Sequence, residues 1–384
     1  MDAKLENRLS PIAILGIGTA VPPYRIDQQD AAERLADALH EDRDMARFAK
    51  RIFRGCGVST RYTCEPNLLE AAPDCRYISD DPPTTSERIA VYRREVLPLA
   101  KQAAYRALAD GAVHPSSVTH LLTVSCTGQY LPGLDAELVR ELELRANVNR
   151  VPLTFTGCAA GLRAVNLARQ LAIASTDAVI LIVCVELCTL HIQPCRVREE
   201  LFAASFFGDG ASSCVIGRAT DQDVRIVLED DRSELLPNCA QVMTWDVGSY
   251  GFDLYLSPDI PRLIGHHVRE RLETFADVAN TACWAIHPGG RAIIDAVQET
   301  LELSDEITEP SRRILRDYGN MSSATILFVI QELKRRFVSQ EIPVQDGLAL
   351  AFGPGLTLEM SRLTFRRSQQ DISYRRQDHD RQSA

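Results

Sequence analysis

The chain has 384 residues, of which 45% are hydrophobic and 24% are charged, a composition typical of a globular protein. Its net charge of −10 argues against nucleic acid or an anionic membrane as the main partner. The longest apolar run, residues 178–185, is too short to span a bilayer, and no N-terminal signal peptide is recognisable. Several of the eleven cysteines lie inside apolar runs, as reduced thiols do, so we expect a cytoplasmic location.

Apolar periodicity predicts alternating strands and helices through the first half of the chain. In chain order these are a strand over residues 11–18, a helix from about residue 28, a surface loop over 65–86, a helix from the capping box at 84–87 to about residue 111, a strand over 120–126, a turn at 129–133 followed by a helix, a strand over 151–155, a helix over 159–174 and a strand over 178–185. This alternation predicts an α/β protein.

The second half repeats the theme less clearly. Its predicted elements are a helix over 261–279, a strand over 283–286, helices over 291–303 and 311–317, a long helix opened by 318–325 that runs to about 337, and strands over 348–352 and 356–365. We predict two similar halves, residues 1–218 and 224–365, with a polar bridge between them. Residues 366–384 are charged and poor in apolar residues, which predicts a disordered tail.

Cys158 follows a predicted strand and opens a predicted helix. At such a junction, unpaired backbone N–H groups and the positive end of the helix dipole favour thiolate over thiol. Its neighbours Gly157, Ala159, Ala160 and Gly161 are small and leave room for a substrate. The alternative is a buried structural cysteine at a tight turn.

Two polar residues of the second half also lie at the ends of elements. His287 ends a strand before Pro-Gly-Gly, where glycine lets a ligand approach the backbone, although a structural histidine is the alternative. Asn320 precedes an apolar helix and has small neighbours, as Cys158 does, although an ordinary N-cap is the alternative. Two halves built alike would bring these two helix starts together, and Cys, His and Asn combined are more specific than any one of them.

These motifs resemble those of type III polyketide synthases, the chalcone synthase-like family. The matching strings are collinear and are residues 16–22, 154–161, 206–211, 284–290, 319–323 and 352–357. The resemblance implies a thiolase-like αβαβα fold of five layers, built from two similar halves and acting as a homodimer. The first half would carry the nucleophilic cysteine, and the second half would carry the histidine and the asparagine.

The resemblance also implies residue roles. Cys158 would carry the acyl group, and His287 and Asn320 would stabilise the enolate that malonyl-CoA forms on losing CO₂. Phe207 would be the gatekeeper between the CoA tunnel and the cavity, with core filling as the alternative. Leu131 would reach across the dimer into the partner's cavity. The other predicted cavity residues are Cys126, Cys188, His191, Phe352 and Pro354.

Residues 47–54 form a basic helical stretch that could bind the phosphates of CoA. Lys50, Arg51 and Arg54 are the candidates, with Arg51 favoured by the family's pattern and a solvated helix face as the alternative. The expected partners are an acyl-CoA starter and malonyl-CoA, which serve as substrates, and no cofactor is expected.

A metal site is not expected. The residues that invite a zinc interpretation are Cys184, Cys188, His191 and Cys195. They lack the Cys-x₂-Cys spacing of a zinc knuckle, and the first of them lies inside an apolar strand.

Several positions differ from the plant chalcone synthases. Cys126 and Thr127 replace a threonine–serine pair, and Cys188 and His191 replace threonines, as in bacterial members. We therefore expect a bacterial-type member that uses a fatty acyl-CoA starter and makes alkylpyrones or alkylresorcinols. A synthase primed by malonyl-CoA, making tetrahydroxynaphthalene or dihydroxyphenyl products, is the alternative within the family.

Three other classes remain to be compared. A ketoacyl synthase III-like enzyme also uses Cys, His and Asn but takes malonyl groups from carrier protein, and it follows its histidine with Gln-Ala-Asn rather than Pro-Gly-Gly. A papain-like thiol hydrolase has a different cysteine context. A non-enzymatic acyl-CoA-binding protein would not need the three residues together.

Overall fold

The computed structural model describes residues 10–193, 195, 197–219, 224–340 and 342–367. The strands of this part are β1 Ile12–Ala20, β2 Tyr24–Asp27, β3 Thr60–Thr63, β4 His120–Ser125, β5 Asn149–Thr154, β6 Ile180–Leu187, β7 Asp209–Arg218, β8 Val224–Leu235, β9 Met243–Gly248, β10 Gly251–Leu256, β11 Cys283–Ile286, β12 Val344–Gly353 and β13 Thr357–Arg367. The helices are α1 Gln28–Ala38, α2 Arg43–Gly55, α3 Thr85–Asp110, α4 Leu134–Glu141, α5 Ala160–Ala174, α6 Arg198–Phe206, α7 Ile260–Glu273, α8 Arg291–Leu301, α9 Asp305–Tyr318 and α10 Thr325–Ser339.

Nine strands form one mixed sheet in the order β11-β12-β13-β8-β1-β7-β6-β4-β5. The order is symmetric about the antiparallel pair β8–β1. Moving outwards on either side, the next two pairings are antiparallel and the one after them is parallel. Each half of the chain therefore contributes the same pattern of strands, and β5 is an additional edge strand.

Helices cover both faces of each half of the sheet, because side chains alternate across a strand. In β6, Ile182 packs in a central cluster with α5 and α10, whereas Val183 packs in an outer cluster with α3. In β12, Ala351 packs in the central cluster, whereas Leu350 packs against α7 and α8. The resulting layers are α3, the first-half strands, α5 with α10, the second-half strands, and α7 with α8. This is the αβαβα order that the resemblance implies.

The start of α3 shows how directly a local sequence signal can determine structure. The Glu87 carboxylate accepts a hydrogen bond from the Thr84 backbone N–H at 2.7 Å, and the Thr84 hydroxyl oxygen accepts one from the Glu87 N–H at 3.3 Å. Both bonds satisfy donors that a helix start leaves unpaired, so the predicted capping box is confirmed.

The sequence prediction missed β8 and the hairpin formed by β9 and β10. In β8 the apolar alternation is interrupted by Glu229, Asp230 and Asp231, which concealed the strand. The end of β13 extends to Arg367, so the first two residues of the predicted tail belong to a strand, and residues 368–384 lie outside the described residues. Among the helices of the described ranges, none is long and apolar enough to cross a bilayer.

Candidate active site

Cys158 lies in the tight turn between β5 and α5. Gly157 adopts a φ of +73°, and a Cβ atom there would lie 2.1 Å from Cδ of Pro354. Only glycine fits, because the turn is left-handed and the Pro354 ring packs directly on it. The motif at residues 352–357 therefore supports the turn that presents Cys158, whose side chain stays partly exposed.

Asn320 lies just before α10 and is held by several hydrogen bonds. Its backbone N–H donates to the Phe206 carbonyl at 2.8 Å, and its carbonyl accepts from the Gly208 N–H at 3.0 Å. Its side-chain oxygen accepts from the Ser322 N–H at 2.8 Å. This leaves the side-chain Nδ2 as the group that faces the sulfur, 3.8 Å from Cys158 Sγ.

His287 completes the group through the turn that follows β11. The Asn320 Nδ2 donates to the Gly289 carbonyl at 3.2 Å, and Gly289 closes the turn that begins at His287. The imidazole is 1% exposed, and neither ring nitrogen has a hydrogen-bond partner among the described residues. An unpaired buried nitrogen costs about 1–3 kcal/mol, so these atoms are suited to pair with a substrate. Burial lowers the pKa of His287 to about 3, so the ring is neutral at pH 7.

The thiol of Cys158 is also neutral at pH 7. Burial raises its pKa to about 11, although hydrogen bonds from Ser322 and Asn320 lower it. The expectation that the helix start favours the thiolate is therefore not met in this geometry, because desolvation outweighs it. The Cys158 thiol and the His287 imidazole are therefore both neutral, so a reaction at the sulfur requires loss of the thiol proton.

Glu186 is a site residue that the sequence analysis missed. Its carboxylate accepts hydrogen bonds from the Cys126 N–H at 2.9 Å, from the Thr127 hydroxyl at 2.8 Å and from the Ser323 hydroxyl. Burial raises its pKa to about 7. The carboxyl group thus joins the end of β4 to the start of α10 directly behind the sulfur. A single acidic residue at the end of the apolar run of β6 was the available signal.

Four aromatic rings form a wall that begins beside Cys158. Phe207 packs in the same small cluster as Cys158, and its ring centroid is 6.2 Å from that of Trp245. The Trp245 ring is 6.1 Å from Phe252, which stacks on His191 at 3.9 Å. Phe207 and His191 were predicted, but Trp245 and Phe252 lie on the missed hairpin.

The remaining predicted cavity residues do not all pack in the cluster that contains Phe207. Cys126 is buried, and its sulfur accepts from the Gly157 N–H at 3.0 Å, while Cys188 packs with Phe207. Phe352 instead packs in the outer cluster, on the face of the sheet away from α5 and α10. Its place beside the cavity stays a prediction.

Leu131 is 90% exposed. It lies in the turn between β4 and α4. The Leu131 side chain is therefore accessible to another molecule.

The basic face of α2 carries the predicted CoA-binding residues. Lys50, Arg51 and Arg54 are exposed, and no ion pair involves them within the described ranges. The Arg51 guanidinium lies 5.3 Å from the centre of the Phe48 ring. These charges are free to bind a phosphate group.

No group of three or more potential metal ligands has suitable geometry in the described part of the chain. Cys184 lies buried within β6, and His191 Nε2 donates a hydrogen bond to the Thr127 carbonyl at 2.7 Å. A carbonyl can only accept, so Nε2 carries the proton.

Two sequence profiles match the chain. Residues 4–220 match chalcone and stilbene synthases, N-terminal domain, and residues 228–365 match the C-terminal domain. The chain is 31% identical to Type III polyketide synthase 21 of Oryza sativa subsp. japonica over 90% of its own length and 92% of that protein. It is also 31% identical to Probable polyketide synthase 1 of Dictyostelium discoideum over 90% of its own length, and it spans only 11% of that protein.

Solved structures are similar over nearly the whole chain. The C-terminal type III polyketide synthase domain of Steely1, a type I/III hybrid from Dictyostelium, has a TM-score of 0.84 and 28% identity over 93% of this chain and 99% of that one. PKS-I from the brown alga Ectocarpus siliculosus has a TM-score of 0.85 and 26% identity over 93% and 98%. These likenesses confirm the thiolase-like fold, whereas the expectation of a bacterial-type member is not borne out by them.

Proposed function

We propose, because the chain belongs to the chalcone and stilbene synthase family of type III polyketide synthases, that it extends an acyl group held on Cys158 with units from malonyl-CoA. The observation that supports this most is the placement of the Asn320 amide. It lies 3.8 Å from Cys158 Sγ and donates a hydrogen bond to the turn that begins at His287, which supports a site that includes the thiol, the amide and the imidazole.

Loading of the starter begins with the Cys158 thiol and the His287 imidazole both neutral. As the sulfur of Cys158 attacks the thioester carbonyl of the starter, its proton passes to the imidazole of His287, which has unpaired ring nitrogens. The carbon–sulfur bond to CoA breaks, and CoA leaves as a thiolate that takes up a proton. The product is an acyl thioester on Cys158.

Extension follows when malonyl-CoA loses CO₂. The electron pair of the broken carbon–carbon bond forms an enolate, whose oxygen is stabilised by N–H donors of His287 and Asn320. The enolate carbon attacks the acyl carbonyl, the bond to Cys158 sulfur breaks, and a β-ketoacyl-CoA two carbons longer results. We propose that this cycle repeats before ring closure and that it uses no cofactor.

For the starter we propose a fatty acyl-CoA, giving alkylpyrones or alkylresorcinols. The rings of Phe207, Trp245 and Phe252 provide an apolar surface that suits an alkyl chain. Priming by malonyl-CoA alone is the other candidate.

We also propose a homodimer. Leu131 is 90% exposed and Phe155 is 40% exposed, and the Phe155 ring lies 5.3 Å from Phe252 of the wall. A second copy of the chain would cover these apolar residues and bring its own Leu131 towards the wall. In this proposal the dimer acts in the cytoplasm.

The test is incubation of the purified protein with acyl-CoA starters of increasing length, each with malonyl-CoA, and analysis of the products by mass spectrometry. We expect pyrones or resorcinols that retain the starter chain. Parallel reactions contain malonyl-CoA alone or malonyl-carrier protein. Extension only from malonyl-carrier protein would assign the chain a ketoacyl synthase III-like activity instead, and the absence of any extended product would reject the proposal.

A further inference from the structure

The backbone that carries the Phe207 ring is paired with the backbone of Asn320. Phe207 and Asn320 form a β-bridge, with hydrogen bonds from Asn320 N–H to the Phe206 carbonyl and from Gly208 N–H to the Asn320 carbonyl. Any shift of this segment therefore moves both the ring beside Cys158 and the amide that faces its sulfur.

The Arg61 side chain, from β3, lies directly against this pairing. It is 3% exposed, and its Nη1 donates to the Phe207 carbonyl at 2.7 Å. Burial lowers its pKa to about 10, so the guanidinium remains charged at neutral pH. A buried charge is costly to keep, and an apolar side chain of similar size would be cheaper for stability alone.

Glycines bring the two backbones against Arg61. A Cβ atom at Gly208 would lie 2.6 Å from the Tyr318 carbonyl oxygen and 3.1 Å from Arg61 Cβ. A Cβ atom at Gly319 would lie 2.5 Å from the Phe206 carbonyl oxygen and 3.4 Å from Arg61 Cβ. The two paired backbones therefore lie directly against Arg61, with no room for a side chain at either glycine. The position of Arg61 thus determines the position of the paired segments at Phe207 and Asn320.

The guanidinium also contacts α2, the helix with the basic face. It lies 5.6 Å from the centre of the Phe53 ring, which is the buried side of that helix. Arg51 and Arg54, on either side of Phe53 in sequence, are exposed. One side chain thus touches both the proposed CoA-binding helix and the segment that fixes the amide.

We propose that Arg61 is a positioning residue for condensation: by holding the Phe207 carbonyl against α2, it sets where the Asn320 amide and the Phe207 ring stand relative to Cys158. The inference rests on the proposed function, since it concerns the same reaction. Arg61 touches neither substrate nor reacting atoms, so it acts through geometry.

The test compares Arg61→Met, which removes the donor, with Arg61→Lys, which keeps a charge and a donor. Misplacement of a catalytic group by about 1 Å can cost on the order of a hundredfold in rate. We expect kcat for extension to fall about a hundredfold in Arg61→Met and less in Arg61→Lys, with the KM for malonyl-CoA unchanged within about threefold. Alkylation of Cys158 by iodoacetamide should continue at the wild-type rate.

Arg232→Met is the matched control. Arg232 also donates to a carbonyl, that of Thr274 at 3.1 Å, and its guanidinium lies 5.0 Å from the centre of the Phe275 ring. It belongs to β8 and not to the pairing of Phe207 with Asn320. It should lose thermal stability without losing kcat. Restoration of kcat in an Arg61→Ala variant by millimolar guanidinium provides a readout that general destabilisation would not move.

The outcomes separate the two proposals. If wild-type protein makes no extended product, the proposed function fails. If wild-type is active but Arg61→Met retains kcat, or if kcat and the KM for malonyl-CoA change together without guanidinium rescue, Arg61 has only a structural role. Should Arg61→Met not fold, the same measurements on Arg61→Lys decide the question.

Discussion

The two central helices, α5 and α10, begin with residues that are held very differently. Asn320, before α10, is fixed by both backbone bonds of a β-bridge and by a bond from the Ser322 N–H to its side-chain oxygen. Cys158, before α5, meets Asn320 Nδ2 only at the long distance of 3.8 Å and stays partly exposed. The donor is rigid, whereas the sulfur is free to accept and release an acyl group.

The two helix starts are also in direct contact. A Cβ atom at Gly161 would lie 2.0 Å from the Ser323 carbonyl oxygen, so only glycine lets α5 and α10 approach this closely. The repeated strand order places the two starts at corresponding points of the halves. In the proposed reaction, the same position supplies the nucleophile in one half and a hydrogen-bond donor in the other.

Removal of the sulfur should have the largest effect. In Cys158→Ala we expect extended products to be undetectable, because the variant lacks the sulfur that is proposed to hold the acyl chain, while decarboxylation of malonyl-CoA continues at the donors. Mass spectrometry of products and CO₂ release from labelled malonyl-CoA measure the two steps separately. Full product formation by this variant would reject Cys158 as the nucleophile.

Removal of the fixed donor should have the next largest effect. One oxyanion donor contributes about 3–4 kcal/mol, so Asn320→Ala should lower kcat about a hundredfold or more. Asn320→Asp is the sharper variant, since a carboxylate can still accept from the Ser322 N–H but cannot donate to an enolate. We expect both variants to lose decarboxylation and extension together, and an active Asn320→Asp would show that donation is not the role of this side chain.

Some residues of the candidate site could be predicted from the sequence, and others could not. Cys158, His287 and Asn320 each lie where periodicity changes, beside small residues or Pro-Gly-Gly, so local patterns located them. Trp245 and Glu186 could not be found in this way. Trp245 reaches the site because β9 and β10 pair as a hairpin, in which Leu254 opposes Trp245, and a short half-exposed hairpin has little pattern of its own.

The pKa of a buried group could not be predicted from local signals either. The helix start predicted a thiolate at Cys158, but the pKa depends on desolvation by residues distant in sequence, such as Phe207. The face of the sheet that Phe352 occupies was likewise not evident from its motif. The parity of β12, which turns Ala351 towards the central helices, directs Phe352 to the outer face.

Glu186, which joins the end of β4 to the start of α10, should make the stability of the protein depend on pH. Its folded pKa of about 7 is above the ordinary value of 4.5, so the folded state holds the proton more tightly. Its contribution is fully present below pH 4.5 and is lost as the pH rises through 7, a loss of about 3 kcal/mol if nothing compensates. His287 and His191, whose pKa values burial lowers to about 3 and about 4, have the opposite sign, because they favour the folded state more as the pH rises from 5 towards 6.5. The Glu186 contribution is therefore measured against a variant that lacks it.

Glu186→Gln removes this titration, and its amide can still pair with the same three partners. The unfolding temperature of the variant minus that of wild-type protein should therefore be higher at pH 8 than at pH 5. Asp209, whose pKa burial raises to about 6, titrates with the same sign in both proteins, so the difference between them isolates Glu186. Equal pH dependence in the two proteins would contradict the assignment.

The smallest effect is expected at the exposed basic residues of α2 that are proposed to bind CoA. It tests the contrast between groups that position the reacting atoms and groups that only bind the substrate. Arg51→Glu should raise the KM for malonyl-CoA several-fold and leave kcat unchanged, because a surface charge pair contributes only about 1 kcal/mol. The effect should shrink as salt screens the charges. Arg262→Glu, an exposed reversal of the same net charge on α7, is the control. An unchanged KM in Arg51→Glu, or an equal rise in the control, would remove Arg51 from the CoA site. A fall in kcat would instead mean that Arg51, like Asn320, helps to set the geometry of the reacting groups.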